Sequence, residues 1–356
     1  MKILYVAGRE AAYSRTRIVL NAMRQNGFEV IECLPPNKSF KHYPGLLLKT
    51  LLNAPRCDAV VVGFYGQLLA PLVRLLTWKP ILFDMYITTY DTMVFDREKA
   101  APGSFKARIY GLSDWLSYKM TKLSILDSHY VIGHFGRTIH TETSKFRRLF
   151  LAVDDSVIKP GPLRPADGEF LVHFHGEYIP FHGVRHILKA AKLLEPHGVK
   201  FQIVGKGLTY EEDMQLAREL GLPHVKFLDP VPYAKLAELM SRADVCLGIF
   251  GDNERAKLVL TNKVVEAIGV GKPLITSRNE PVQELLKDGE SVLLVNPADP
   301  QALADAILRL KNDEPLRHRI AAAGHKVFRQ QCATETFGKR FTAILHEVLG
   351  TRRTVE

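Results

Sequence analysis

With 356 residues, 46% of them hydrophobic and 24% charged, the chain is too long for one ordinary core, fits two α/β domains, and has neither the composition of a disordered chain nor that of a fibrous repeat. Its formal net charge of +10 attracts polyanions, and nucleic acid, an anionic membrane surface and a diphosphate all satisfy it. The cysteines Cys33, Cys57, Cys246 and Cys332 are scattered without metal spacing or a disulfide-like framework, as expected of reduced thiols in a cytoplasmic protein.

The chain opens on Ile3–Val6, an apolar run too short for an export signal and read instead as a strand ending at Gly8. A helix carrying Ile18, Leu20 and Met23 follows, then a turn at Gly27 into Phe28-Glu29-Val30-Ile31. This βαβ unit implies a parallel sheet. Further buried strands are expected at Ala59–Val62 and Ile81–Phe83, each leading to Gly or Asp at the sheet's carboxyl edge, where open α/β sheets bind ligands. The apolar stretch Leu68–Leu76 is broken by Pro71 and Arg74 and is too short to span a membrane.

The prolines of Lys159-Pro160-Gly161-Pro162-Leu163-Arg164-Pro165 forbid helix and mark a domain linker. After it, Phe170–His175 and Gly176 repeat the opening pattern of strand then glycine. A helix (Val184–Leu194), a strand (Lys200–Val204) and Gly205-Lys206-Gly207 succeed it, with strands expected near Val225–Phe227, Val245–Leu247 and Pro273–Ile275. The expected architecture is two Rossmann-like α/β domains in tandem with a cleft between them. Residues 1–162 form the first domain and 168–327 the second, while an amphipathic helix in 328–356 packs back on the first.

Chemistry concentrates in the stretch from Leu247 to Ala267. A strand end runs through a loop holding Arg255 and Lys257 to a helix beginning near Asn262, so three cations, Lys263 included, lie near free backbone N–H groups at one helix N-terminus. That geometry suits a diphosphate, although Arg255 and Lys257 also read as solvated loop charges. Glu266, one turn into the helix, can accept hydrogen bonds from ribose hydroxyls.

From Phe170 to about Asp313 the chain resembles the donor domain of family 4 glycosyltransferases. The ordered segments "GEYIPFHG", "FQIVGKG", "VKFLDPVPYAKLAELMSRADVCLGIFG", "TNKVVEAIGVGKPLITS" and "DGESVLLVNPADPQALADAI" carry the likeness. In the first half, Phe83-Asp84-Met85-Tyr86, Tyr90-Asp91-Thr92 and Leu126-Asp127-Ser128 resemble acceptor-side loops of one branch of that family. The resemblance implies the two-domain GT-B fold and sugar transfer with retention from a nucleoside diphosphate sugar to an acceptor hydroxyl. The donor site then takes in Gly8, then Gly176, Tyr178 and His182 of one turn, and Gly205 and Lys206 of the next. It continues through Phe250, Gly251, Arg255, Lys257, Asn262, Lys263 and Glu266. The chain departs from the family where the first of two acids eight positions apart is Leu258, with Glu254 the nearest substitute. It departs again where the turn's usual arginine and lysine are Glu177 and His182.

Candidate catalytic residues are Asp84, Asp91 and Glu266. The first two sit in a loop after a first-domain strand where a carboxylate could take the acceptor's proton, or serve only as turn and cap residues. His173, His175, His182 and His186 include one i, i+4 pair, but with no nearby cysteine and only Glu177 as an acid, no metal and no cofactor is expected. Without a zinc finger, an RRM-type signature or a basic helix, nucleic acid is not an expected partner. The expected partners are the nucleotide sugar and a sugar or lipid-linked acceptor. An anionic membrane, met through Lys38, Lys41 and Lys49 beside the leucine-rich Leu46–Leu52, adds a peripheral site at the inner face. Alternatives are a nucleotide-sugar epimerase of the same fold and a catalytically silent nucleotide-binding relative.

Overall fold

The computed structural model describes residues 1–161 and 169–351 and divides into two compact units, Met1–Ala152 together with the chain from Thr334, and Val153–Ala333. In the first, β1 (Lys2–Val6), α1 (Ser14–Gln25) and β2 (Glu29–Cys33) form the opening βαβ unit. α2 (Tyr43–Asn53), β3 (Ala59–Val62), α3 (Leu69–Leu76), β4 (Ile81–Asp84), α4 (Thr89–Asp91), α5 (Phe105–Lys119), β5 (Leu123–Leu126), α6 (His129–Ile139) and β6 (Phe146–Arg148) follow. Six parallel strands lie in the order β2-β1-β3-β4-β5-β6. β3, β4 and β5 are buried end to end, which is why their sequences are mostly unbroken apolar runs rather than alternating ones.

The second unit comprises β7 (Phe170–His175), α7 (Val184–Leu193), β8 (Val199–Val204), α8 (Tyr210–Leu220), β9 (Val225–Leu228), α9 (Tyr233–Ser241) and β10 (Val245–Leu247). It continues through α10 (Asn262–Gly269), β11 (Leu274–Ser277), α11 (Glu280–Leu285), β12 (Leu293–Val295), α12 (Pro300–Asn312) and α13 (Glu314–Gln331). Its parallel sheet has the order β12-β11-β10-β7-β8-β9. The chain therefore builds outward from β7 to β9 and restarts on the other side at β10. Loops leaving the carboxyl ends of β7 and β10 diverge at that reversal and open a crevice for a ligand.

The final helix, α14 (Thr334–Leu349), belongs to the first unit, where Phe337, Phe341, Leu345 and Val348 pack with Ile18, Val19 and Met23 of α1. The sequence places a single amphipathic stretch from Phe328; the structure has two helices. Residues 328–331 finish α13, and the N–H groups of Cys332 and Ala333 both donate to the Phe328 carbonyl before the chain restarts at Thr334. The first unit also closes at Ala152 rather than at 162. Ile158 is buried beside Gly269 of α10 and so belongs to the second core. Residues 162–168, which hold much of the expected linker and the boundaries set at 162 and 168, lie outside the described residues. Among the described residues no helix is long and apolar enough to cross a membrane.

Candidate functional site

At the carboxyl end of β7 the chain turns at Gly176, and at the end of β8 it turns at Gly205, with φ of +150° and +141°. A Cβ on Gly205 would run into the Gly176 carbonyl oxygen, and one on Gly176 would lie 2.8 Å from Lys263 Nζ. Both positions require glycine because two backbones and a lysine meet there. Between these turns and the start of α9 lies a cavity of about 290 Å³, walled by His175, Gly176, Glu177, Gly205 and Lys206, with Val231 and Leu236 supplying apolar surface.

Behind the cavity runs a buried polar chain. His173 Nε2 lies 3.0 Å from His175 Nδ1, and His175 Nε2 lies 2.9 Å from Glu266 Oε2. Side chains two apart on a strand share a face, so β7 aims both imidazoles at α10. The consistent tautomers have His173 Nε2–H donating to His175 and His175 Nε2–H donating to the carboxylate. Burial, and then the neighbouring His175, hold His173 well below the ordinary histidine value, so it is neutral. Burial pushes the Glu266 carboxyl up, but hydrogen bonds and charge from His175, the Tyr233 side chain and Lys263 outweigh it and leave Glu266 below its ordinary value. It is therefore an ionised, pre-oriented acceptor.

Lys263, at the second residue of α10, is buried over the Phe174 ring, 5.1 Å from its centroid. Burial drives its ammonium down to about 7, against the opposing pull of Glu266 and Glu177. An anion at the amides opening α10 would restore that charge. Glu177 also accepts, through its carbonyl, from His182 Nδ1. Burial and then Lys263 hold His182 well below the ordinary value. A neutral ring that donates through Nδ1 presents only a lone pair at Nε2, so His182 lacks the proton a diphosphate contact needs.

Gly176, His182, Gly205, Lys206, Lys263 and Glu266 thus come together around one crevice. Lys206 is exposed and paired with Asp229 at 2.8 Å, and Asn262 is exposed at the start of α10. The other expected donor residues do not line this cavity. Tyr178 is fully buried, its ring against Tyr210, and Phe250 is buried in the same core. Gly251 packs against Phe181. Arg255 is buried, with no hydrogen-bond partner for Nε among the described residues. Lys257 is exposed and pairs with Glu254 at 2.6 Å. Glu254 is thereby turned to solvent, and Leu258, in place of the family's first acid, is buried.

In the first unit, Gly8 follows β1 and abuts Tyr65. Asp84 is not available to an acceptor: it is fully buried, and both oxygens take hydrogen bonds from Arg15, Nε at 2.9 Å and Nη2 at 2.7 Å. Asp91 is buried, accepts from the Thr88 hydroxyl at 2.6 Å, and lies 3.0 Å from His134 Nε2. Its own N–H donates back to Thr88, the geometry of a helix cap. The sequence reading missed His173 and His175 as partners of Glu266, although their two-residue spacing on a strand ending in glycine was the available signal. Tyr233 and Arg15 carried no such signal.

Residues 169–313 match the family model described as glycosyl transferases group 1. Over 134 residues the chain is 35% identical to a phosphatidyl-myo-inositol mannosyltransferase of Mycobacterium leprae, covering 37% of this chain and 34% of that protein. It is 26% identical over 188 residues to the lipopolysaccharide core biosynthesis glycosyltransferase LpsE of Rhizobium meliloti, covering 51% of each. The chain thus spans about a third of the length of the first of these curated relatives. Among solved structures, Anabaena HepE in complex with UDP and glucose superimposes with a TM-score of 0.75 at 17% identity, over 97% of this chain and 98% of that one. The sucrose-phosphate synthase of Thermosynechococcus elongatus does so with a TM-score of 0.74 at 15% identity, over 98% and 99%. The fold is therefore the GT-B fold, with two Rossmann-like domains, and residues 169–313 of the second are similar to the group 1 glycosyl transferases.

Proposed function

We infer that the chain is a glycosyltransferase that moves a sugar from a nucleoside diphosphate sugar to an acceptor hydroxyl, with retention, in glycoconjugate assembly in the cytoplasm. The observation that carries this reading is the crevice at the β7/β10 reversal, where ionised Glu266 is held by His175 and Lys263 sits buried at the opening of α10. Glu266 orients the donor through ribose hydroxyls. The α10 amides and Lys263 stabilise the negative charge that grows on the departing diphosphate, so transfer rests on leaving-group stabilisation rather than on a protein nucleophile. No metal or cofactor takes part. Asp91, paired with His134, is the first-unit carboxylate to test against the acceptor. The acceptor is a sugar or a lipid-linked sugar, met in the second case at the inner face of the membrane.

HepE structures hold UDP and UDP-glucose, so uridine donors head a thermal-shift screen of nucleotide sugars. A true donor raises Tm by mass action. Product analysis then decides the chemistry: nucleoside diphosphate released only with an acceptor supports transfer. An isomerised donor formed without acceptor identifies an epimerase, and tight nucleotide binding with no turnover identifies a silent binding protein.

A further inference from the structure

Among the described residues, all the exposed large hydrophobic side chains except Met1, Leu193 and Leu208 lie between Phe40 and Trp115, in the first unit. They follow three neighbouring helices, since α3 touches both α2 and α5. Leu46 of α2, Leu69 and Val73 of α3 and Tyr118 of α5 are buried in the core beneath. Leu48, Leu51 and Leu52 of α2, Leu72 and Leu75 of α3, and Ile109 and Leu112 of α5 are exposed instead. Trp78, just after α3, is 96% exposed, and Phe105, opening α5, is 80% exposed. Large apolar side chains exposed together on neighbouring helices mark an interaction site.

The charge on the same helices selects the occupant. α2 and α3 contain no acidic residue, and the one acid of α5, Asp114, is buried and accepts from the N–H groups of Thr89 and Tyr90. Lys49, Lys106 and Arg108 are exposed among the leucines. Beside Trp78 an open recess of about 650 Å³ is walled by Arg74, Lys119 and Lys122, with no carboxylate in its lining. Lys122 Nζ donates to the Val348 carbonyl and Lys119 reaches Glu142 at 3.5 Å, so the recess is only partly neutralised. A second copy of the chain would set like charges against one another on this face; an anionic bilayer opposes it with phosphates.

We propose that the α2/α3/α5 face docks on an anionic lipid bilayer, with Trp78 and Phe105 inserted at the headgroup level and lipid phosphates in the recess between Arg74, Lys119 and Lys122. The amphipathic indole of Trp78 settles at that depth beside the apolar ring of Phe105, and the cations draw the face to negatively charged lipid. The docking is independent of sugar transfer and is tested without turnover.

The chain has two tryptophans, Trp78 and Trp115, and both lie on this face, so intrinsic fluorescence reports on it directly. With vesicles containing phosphatidylglycerol at low salt, the protein is expected to float with the lipid, its emission to shift to the blue, and brominated acyl chains to quench it. Pure phosphatidylcholine vesicles should give much less of each. Lys106→Gln with Arg108→Gln should weaken binding roughly tenfold or more, and Phe105→Ser should reduce quenching, both at unchanged Tm. Nucleoside diphosphate binding measured on the same samples separates a failed donor site from failed docking. Absence of flotation with anionic vesicles at low salt overturns the proposal, as does flotation unaffected by these substitutions. A concentration-dependent dimer that itself shifts the emission to the blue also overturns it, because a second copy would then be the occupant.

Discussion

His175 Nε2 lies 2.9 Å from Glu266 Oε2, joining the last residue of β7 to the second turn of α10 across the crevice where the two halves of the sheet diverge. The contact fixes the carboxylate's direction and supplies a donor that a buried anion requires. It lets Glu266 be ionised before any ligand arrives.

Glu266→Gln should therefore weaken donor binding by about 1.5–3 kcal/mol, because the amide keeps the size but loses a charge-assisted acceptor. Titration calorimetry with the donor found in the screen measures this. His175→Phe should move affinity in the same direction while leaving Glu266 in place. Parent-like affinity in both variants would make the pair a structural contact and remove it from the donor site.

Lys263 gives a pH signature. In the free protein its ammonium loses its proton near 7, whereas a bound diphosphate favours the charged form. Binding should take up protons at pH 8, read as a dependence of calorimetric heat on buffer ionisation enthalpy, and affinity should fall as pH rises above about 7. The folded value lies below the unfolded one, so the unfolded chain holds the proton first. The group thus costs stability progressively as pH falls from about 10.5 toward 7. Lys263→Met should abolish the proton uptake and weaken diphosphate binding while holding or raising Tm at neutral pH. Unchanged proton uptake in that variant would assign the titration to another group.

Asp84→Asn should cost stability rather than chemistry. Breaking the buried Arg15–Asp84 pair leaves an uncompensated guanidinium, a loss of about 3–5 kcal/mol, visible as a lower midpoint in urea. Nucleoside diphosphate affinity per folded molecule should stay at the parent value. Full stability with impaired transfer would return Asp84 to the acceptor site.

Both sheets were legible in the sequence because buried parallel strands read as apolar runs, and strand-then-glycine marked Gly176 and Gly205 where close approach leaves room for nothing larger. Glu266 and Lys263 were legible from their place at the start of one helix. What escaped was contact between distant parts of the chain. Arg15 and Asp84 are 69 residues apart, and no spacing rule joins them. Ile158 falls within the first domain as expected from the sequence, 1–162, yet it packs beside Gly269 in the second unit. Tyr178, Phe250 and Leu258 lie in or beside motif segments, yet their side chains are buried, because a motif marks the backbone path of a loop without separating its ligand side from its core side.

The central claim is that a nucleoside diphosphate binds at the β7/β10 crevice, and a structure of the complex tests it most directly. The account places the diphosphate at the amides opening α10 within reach of Lys263, the ribose hydroxyls on Glu266, and the base in the cavity between Gly176 and Gly205. A nucleotide bound elsewhere, or bound here without contact to Glu266 or Lys263, would contradict it.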